Sequence, residues 1–262
     1  MKQKISLPEN PFGYTPKGFV YEYIKNLSKQ NNSLNVLDFG CRNGDLLNEI
    51  YKQSFFNSAV GSDLDGTAID IAKKLDINVD FRLIEKNHRF KEEDNAFDIV
   101  SIVGVVEHVY DQVSLLTELR RIVKNEGVIV VAVPGQHFFS FLDMGNFKFR
   151  FPKFHKFFYR LTHSETEYIS KYVSNEFGCI GDIEAEKAWH EHFSKKSMQS
   201  LIDEVGGLEI IEIDGFGFFY RILINFKYFL PSFLKKIMNR LIAFDMKNFN
   251  KAELIFILKK IN

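Results

Sequence analysis

Residues 36–44 have the sequence VLDFGCRNG, and this stretch decides the fold. A short apolar strand ends at an acid, Asp38, and two glycines, Gly40 and Gly44, then lead the chain into a helix. Glycine allows backbone conformations that are closed to other residues and lets a ligand approach the chain closely. The amides at the start of the following helix favour a carboxylate or a phosphate. The stretch therefore predicts a strand, a ligand-binding loop and a helix in succession.

The position of Asp38 discriminates between two classes of ligand for this loop. Dinucleotide-binding loops have the pattern G-x-G-x-x-G, with a pyrophosphate at the end of the helix. Here a carboxylate stands two residues before Gly40, and it would repel a pyrophosphate. The same carboxylate would attract the ammonium group of a methionine moiety, whose own carboxylate would meet backbone amides. The charge pattern favours S-adenosylmethionine over NAD.

A second acid ends the next predicted strand. In residues 60–65, VGSDLD, Asp63 follows Gly44 after a further helix and turn. A carboxylate at this position can accept hydrogen bonds from both ribose hydroxyls of an adenosyl group. Helix capping is the alternative role for Asp63, but Asp65 is better placed as the N-cap of the next helix. We therefore expect Asp63 to bind ribose.

Strands and helices alternate on both sides of this region. Seven segments are predicted as strands, at residues 34–39, 59–63, 79–84, 97–103, 128–133, 208–213 and 252–258. Helical stripes lie between them, and the helix after Asp111 is expected to run through Val123. The alternation predicts an α/β fold, a Rossmann-like three-layer sandwich with a seven-stranded, mostly parallel sheet. Residues 252–258 are expected to form its one antiparallel strand.

Two long segments interrupt this rhythm. Residues 136–189 are too long for a simple connection and are expected to form a helical lid. Residues 215–251 are expected to form a second, aromatic and basic helical insert. The whole chain, residues 1–262, is predicted to be a single domain that carries both inserts.

Composition narrows the class of protein. The chain has 34 Lys and Arg and 34 Asp and Glu side chains, so its zero net charge gives no hint of a nucleic-acid partner. Only two cysteines, Cys41 and Cys179, occur, which favours a reducing compartment. We expect no signal peptide and no membrane-spanning segment, because the chain shows neither an apolar leader nor a long uncharged apolar run. The prediction is a cytoplasmic protein.

Three motifs together resemble the class I S-adenosylmethionine-dependent methyltransferases. They are VLDFGCRNG at 36–44, GSDLD at 61–65 and FDIVSIVGVVEHVYD at 97–111. The likeness is to the group that includes ubiquinone and menaquinone biosynthesis methyltransferases and many sugar O-methyltransferases. The resemblance implies that S-adenosylmethionine is the cofactor. It also implies a set of cofactor-binding residues, running from the methionine end through the ribose and adenine to the methyl group: Asp38, Phe39, Gly40, Gly44, Asp63, Leu64 and Gly104.

The chain departs from the family pattern at two places. Arg42 stands where the middle glycine of the loop usually occurs, and its side chain is expected to point outward or to pair with an acid. The acid that usually follows the third strand and contacts the adenine amine is replaced by Ile84, with Glu85 as the nearest substitute. These departures favour an alternative in which the fold binds ligand but has lost turnover.

Histidines are the candidates for a general base. Methyl transfer to a hydroxyl needs a group that accepts the proton, and the pKa of histidine suits this role. His108, beside Glu107, follows the fourth strand, where ligands gather in such sheets. His190 and His192 lie where the lid returns to the sheet, and they could contact substrate, pack structurally or, with the acid between them, suggest a metal. No metal is expected, because this spacing makes a weak site. Cys41 is expected to pack in the loop rather than to act as a nucleophile.

The two inserts concentrate aromatic and basic side chains. Residues 147–160, FKFRFPKFHKFFYR, contain six Phe, one Tyr and five Lys or Arg, with no acid. Core packing would explain the aromatics, and stacking with nucleic-acid bases is another possibility. The alternative to core packing is peripheral contact with the inner face of a membrane, or reception of an anionic, lipid-linked substrate, and both readings stay open.

These features together predict a methyltransferase that acts on oxygen. The expected acceptor is a sugar, a glycan or a lipid-linked intermediate, with a quinone-type or other small molecule as the alternative. A catalytically inactive binding protein of the same fold is the rival from another class, and an NAD-dependent oxidoreductase is a more distant one. No nucleic-acid partner is expected.

Overall fold

The computed structural model describes residues 10–31, 33–84, 90–142, 151–161, 163–173 and 191–261. Two predicted site residues, Glu85 and His190, lie outside these ranges. So does Cys179, together with parts of the lid segment.

A seven-stranded sheet forms the centre of the molecule. Its strands are β1 (Asn35–Phe39), β2 (Ser58–Asp63), β3 (Asp80–Leu83), β4 (Phe97–Val103), β5 (Val123–Pro134), β6 (Leu208–Phe216) and β7 (Glu253–Lys260). Their spatial order is β3-β2-β1-β4-β5-β7-β6. Strands β1 to β5 pair in parallel, and β7 pairs antiparallel to both of its neighbours. Six strands therefore share one direction, and the predicted α/β sheet with one antiparallel strand is confirmed.

Helices cover both faces of the sheet. They are α1 (Pro16–Ser28), α2 (Asp45–Lys52), α3 (Gly66–Lys73), α4 (Gln112–Ile122), α5 (Pro152–Arg160), α6 (Glu165–Tyr172), α7 (Lys195–Val205), α8 (Tyr220–Phe229) and α9 (Ser232–Asn248). Short 3-10 turns add Val106–His108 and Ser140–Leu142. The core has two halves. Side chains of α1, α2 and α3 pack on one face of the sheet, and those of α4 and α7 pack on the other.

Polar side chains cap the starts of three of these helices. The Asp65 carboxylate accepts hydrogen bonds from the amides of Thr67 and Ala68. Asp111 caps α4 in the same way, and Ser194 forms a capping box at the start of α7. Each cap satisfies amides that a helix leaves without an internal partner. The helix starts were therefore predictable from local chemistry alone.

The end of α4 was predicted wrongly. Val123 does not continue the helix, because its backbone is extended and it begins β5. Strand β5 therefore starts five residues before the predicted 128–133. A register shift against β4 accommodates the extra residues, and Glu126 has a positive φ of 65° there. Strand β6 likewise continues past the predicted 208–213, because it remains paired with β7 as far as Phe216.

In the described part of the chain, no helix combines the length and the apolar character needed to cross a membrane.

Candidate functional site

In the loop between β1 and α2, every second residue from 40 to 44 has a left-handed backbone conformation. Gly40, Arg42 and Gly44 all have positive φ angles, of 82°, 49° and 76°. The amides of Gly40 and Cys41 both donate to the carbonyl oxygen of Ser62, at 2.8 and 3.0 Å. The loop is therefore fixed to the end of β2, beside the carboxyl end of β1.

Two of these positions exclude a side chain. A Cβ atom added at Gly40 would lie 2.3 Å from Cγ2 of Val105, and one added at Gly44 would lie 2.8 Å from the ring of Phe81. Both glycines therefore serve close packing as well as backbone freedom. Arg42 tolerates its position because its side chain is exposed, in agreement with the expectation that it points outward.

Asp38 is buried at the carboxyl end of β1. Its Oδ1 accepts a 2.7 Å hydrogen bond from the hydroxyl of Ser101, the residue that stands opposite it on β4. Burial raises the pKa of Asp38 from 3.8 to about 6, although the Ser101 hydrogen bond and the positive charge of Lys17 act in the lowering direction. A buried acid held in this way can meet a cationic group.

Asp63 is equally buried at the carboxyl end of β2. Its Oδ2 accepts from the amide of Arg42 at 2.8 Å, and its Oδ1 accepts from the amide of Asp65 at 2.9 Å. Each carboxylate oxygen has two lone pairs, so both can still accept from a ligand hydroxyl. The two amides fix the orientation of the carboxylate and join the loop after β1 to the turn after β2.

The neighbouring predicted residues take different places. The ring of Phe39 is buried and packs against Phe90, with ring centres 5.4 Å apart, so its side chain belongs to the core. Leu64 is half-buried after β2. Gly104 directly follows β4 and has a φ of 68°. Its amide donates to the carbonyl of Ala132. The structure therefore brings Leu64 and Gly104 to the same sheet edge as Asp38, as the parallel strand order requires.

The candidate base lies directly after Gly104. Glu107 and His108 occupy the 3-10 turn that follows β4, and both side chains are buried. Nε2 of His108 lies 4.0 Å from Oε1 of Glu107. A Cβ atom added at Gly104 would lie 3.6 Å from that same glutamate oxygen. The acid and the imidazole thus stand together at the carboxyl edge of the central strands.

Gln112 joins the two histidine segments that the sequence singled out. Its Nε2 donates to the carbonyl oxygen of Val106 at 3.0 Å and to Oε2 of Glu191 at 2.8 Å. The return from the lid is held further by Phe193, whose amide donates to the carbonyl of Pro134. The half-buried His192 lies between these two anchors. The structure therefore brings the His192 segment to the turn that contains His108.

Cys41 is buried in the loop. Burial, followed by the negative charges of Asp38 and Asp63, raises the pKa of its thiol. A thiol that stays protonated is a poor nucleophile, which agrees with the expected packing role. Among the residues that the structure describes, no group of three or more His, Cys, Asp or Glu side chains could hold a metal ion.

An aromatic cluster extends the site along the carboxyl edge of the sheet. It consists of rings that follow β5 and β6 or precede β7, namely His137, Phe139, Phe218, Phe219 and Phe249. Neighbouring rings in it have centres 4.9 to 6.4 Å apart. The buried carboxylate of Asp245 holds one side in place, because it accepts from the amides of Phe218 and Phe219. We call these five rings the aromatic wall.

Three site residues were missed by the sequence analysis: Ser101, Lys17 and Gln112. A signal existed for Ser101, since it is a polar residue within the buried apolar strand β4. Its register opposite Asp38 becomes visible only when β1 and β4 are paired. Gln112 carried no signal, because its partner Glu191 is 79 residues away in the sequence.

Comparisons with known proteins agree with this geometry. A family model described as a methyltransferase domain matches residues 17–210, which is most of the chain. The ubiquinone biosynthesis O-methyltransferase of Rhizobium etli is 35% identical over 103 residues, which is 38% of this chain. The matched stretch spans only 40% of that relative's length.

Solved structures share the fold over nearly the whole chain. The plantazolicin methyltransferase BpumL, in complex with SAH, is 19% identical with a TM-score of 0.55, and the match covers 95% of this chain and 83% of that one. An S-adenosylmethionine-dependent methyltransferase from Mesorhizobium loti is 10% identical with a TM-score of 0.56, and the match covers 94% and 98%. With the family match across the sheet and both buried acids at its carboxyl edge, the chain belongs to the class I S-adenosylmethionine-dependent methyltransferases.

Proposed function

We propose that this chain catalyses methyl transfer to a hydroxyl oxygen of a small, apolar or lipid-linked acceptor. One observation carries the proposal. Two buried carboxylates, Asp38 and Asp63, end adjacent strands on either side of a glycine loop, and each is oriented by its own hydrogen bonds. Burying two acids is costly unless they meet complementary groups. A ligand with an ammonium group and a pair of hydroxyls would supply both.

Six of the predicted cofactor-binding residues then have a defined task. Asp38 would bind the ammonium group, and Asp63 the ribose hydroxyls, with Leu64 against the adenine. Gly40 and Gly44 have positive φ angles and carry no side chain. The methionine carboxylate can therefore approach the backbone amides of the loop. Gly104 would lie below the reacting methyl group. When bound, S-adenosylmethionine supplies that methyl group as an electrophile on a sulfonium.

His108 would act as the general base. Its imidazole would accept the proton that the acceptor hydroxyl loses when the methyl group is transferred to its oxygen, and S-adenosylhomocysteine would be the leaving product. The nearby carboxylate of Glu107 would stabilise the imidazolium that results. His192 is assigned to the acceptor side, because the bridge from Gln112 to Glu191 holds the lid return against this turn. His190 stays a candidate on the sequence alone.

The aromatic wall supports an apolar acceptor. Five aromatic rings, several packed edge to face, lie at the same carboxyl edge of the sheet as the proposed base, and a mostly apolar surface of this kind suits a quinone-type ring. A sugar or glycan on a lipid carrier is the second acceptor class, since aromatic faces also pack against sugar rings. The relative from Rhizobium etli is named for ubiquinone biosynthesis, which favours testing the ring first. We propose that the reaction takes place in the cytoplasm, at the inner face of the membrane. We also propose that the chain is one domain whose inserts, 136–189 and 215–251, receive the acceptor.

Arg42 and the missing adenine acid were the two sequence features that favoured an inactive binding protein, and the first no longer argues for it. Arg42 does not block the loop, because its backbone adopts the left-handed conformation of the usual glycine and its side chain is exposed. The other support was the missing adenine acid, and Glu85 lies outside the described residues. A measurement of turnover therefore decides between an active methyltransferase and an inactive binding protein.

Two measurements test the proposal in order. Calorimetric titration with S-adenosylhomocysteine should give micromolar binding that Asp63→Ala abolishes. Product formation should then be followed with a prenylated phenol and with a lipid-linked sugar as acceptors, in wild type and in His108→Ala. Turnover of the phenol that His108→Ala lowers by roughly a hundredfold or more supports the base assignment. Binding without turnover of either acceptor would favour the inactive binder, and no binding by the folded wild type would refute the cofactor assignment.

A further inference from the structure

Helix α5 has three distinct faces. His155 and Tyr159 are buried, and the ring of His155 lies against Tyr168 of α6. On the opposite side, four large apolar side chains at helical spacing are exposed to 40–63% of their surface: Phe154, Phe157, Phe158 and Leu161. We call these four the α5 stripe. An apolar stripe on a helix normally faces a core, whereas α6 packs on a different face of α5.

The third face of α5 is basic. Lys153, Lys156 and Arg160 recur at helical spacing beside the stripe, and residues 151–161 contain no acid. Lys156 and Arg160 both pair with one carboxylate of α6, Glu165. Two cations thus share one anion, and Lys153 is exposed. The helix therefore presents an apolar stripe with positive charge along its border.

Helix α9 repeats the same arrangement. Ile237, Leu241 and Phe244 are exposed at spacings of four and three residues, and Phe244 is 63% exposed. Exposed cations border them: Lys236, Arg240 and Lys247. The only acid in α9 is Asp245, which is buried and turned inward to cap the amides before α8. The outward face of this helix thus combines apolar and cationic groups without a competing carboxylate.

Charge complementarity indicates the partner. Residues 151–161 and 215–251 contain 10 of the 34 Lys and Arg side chains but only 1 of the 34 Asp and Glu side chains. The rest of the neutral chain is therefore acidic, which would turn these two segments toward an anionic surface. Large apolar side chains bordered by Lys and Arg match the boundary between lipid headgroups and acyl chains. We propose that the α5 stripe, with α9 as a second contact, docks this protein on an anionic lipid surface.

This proposal specifies the location assigned above, yet it does not depend on methyl transfer. Flotation of the full chain would be measured with phosphatidylcholine vesicles and with vesicles that also contain about 30% phosphatidylglycerol. The wild type should float with the anionic vesicles only. Phe154→Ser combined with Phe157→Ser should weaken the partition roughly tenfold or more. Lys153→Gln should weaken it by about fivefold, and rising salt should weaken it further.

A matched control separates surface chemistry from folding. Tyr51→Ser removes an exposed aromatic from α2 and should leave flotation unchanged, and S-adenosylhomocysteine affinity should be the same in all variants. The proposal is overturned if the wild type stays unbound with anionic vesicles, or if the double variant floats as well as the wild type. Self-association in sedimentation velocity that the double variant abolishes, without flotation, would assign the stripe to a second copy of the chain. Binding of single-stranded RNA without flotation would assign it to nucleic acid.

Discussion

Protonation of Asp38 should control cofactor affinity at mildly acid pH. Burial raises the pKa of this carboxyl to about 6 in the ligand-free protein. An ammonium group placed against it favours the ionised form, so the pKa falls when ligand binds. Binding below pH 6 must therefore release a proton. The affinity for S-adenosylhomocysteine should rise with pH and level off above about 7.

The size of this effect follows from the pKa. At pH 5 the carboxyl of Asp38 is about 90% protonated, so the dissociation constant should be roughly tenfold higher than at pH 7. Asp38→Asn should remove this dependence. It should also weaken binding at pH 7 by roughly ten- to a hundredfold, since a hydrogen bond between two charged groups contributes about 1.5–3 kcal/mol.

The same pKa has an opposite consequence for the ligand-free fold. The pKa of Asp38 in the folded protein lies above its ordinary value of 3.8. The carboxyl therefore makes the free energy of unfolding larger at low pH, where it is protonated, than at neutral pH. That contribution is lost as the pH rises from about 4 through 6, and it amounts to about 3 kcal/mol. Asp38→Asn should therefore raise the free energy of unfolding at pH 7 while it lowers cofactor affinity.

Calorimetry in buffers of different ionisation enthalpy measures both the affinity and the protons released. Ser101→Ala is the control, because it removes the hydrogen bond that lowers the pKa of Asp38 and should move the midpoint to higher pH. The reasoning is refuted if Asp38→Asn keeps the pH dependence of the wild type. It is equally refuted if binding releases no proton near pH 6.

Four further changes test the loop and the lid anchor. Gly40→Ala should lower the free energy of unfolding in urea by about 1–3 kcal/mol and abolish cofactor binding, because the added Cβ would collide with Val105. An unchanged free energy of unfolding would contradict the close packing of Gly40 against Val105. Arg42→Gly should raise the free energy of unfolding by up to about 1 kcal/mol, since it relieves a left-handed residue. Gln112→Ala should leave S-adenosylhomocysteine affinity unchanged but lower turnover of an acceptor, because it frees the lid return. In a variant whose other cysteine is replaced by serine, Cys41 should react with a thiol reagent at pH 8 only after unfolding, and rapid labelling of the folded protein would count against its burial.

Local chemistry explains why the sheet and its loop were predictable. The apolar runs of β1, β2, β4 and β5 end in glycine, acid or proline, and these residues mark strand ends without reference to the rest of the chain. The helix starts depended on side chains within three residues of the cap. Such signals survive in a single sequence.

The errors arose where distant pairing overrode local pattern. Val123 continues the apolar stripe of α4, yet it pairs with Phe97 of β4 and becomes the first residue of β5. Ile71 is an apolar residue of α3, yet it is 43% exposed because the helix turns Ile69 and Ala72 to the sheet instead. Sheet register and helix rotation depend on partners far along the chain, which periodicity does not reveal.

The candidate site divides in the same way. Asp38 and Asp63 carry a sequence signal because each is an acid placed at the end of a buried strand. The contacts that orient them, from Ser101 and from the amide of Arg42, come from 63 and 21 residues away. The aromatic wall brings together rings 80 residues apart in the sequence, such as Phe139 and Phe219, so composition could indicate many aromatics but not where they meet.

The energetic pattern of the loop argues against a turn without a ligand. A strand that merely ended in a tight turn would be more stable with an apolar residue in place of Asp38, because burial already disfavours the ionised form of this acid at neutral pH. Arg42 adds a left-handed residue, and Gly40 adds the flexibility of glycine to the unfolded chain. Unfavourable choices of three different kinds thus fall within five residues. Elsewhere in β1 and α2, the described apolar side chains follow the ordinary burial pattern of a strand and of an amphipathic helix. A site that must bind a charged ligand accounts for this concentration, since strain and buried charge are retained where binding later compensates for them.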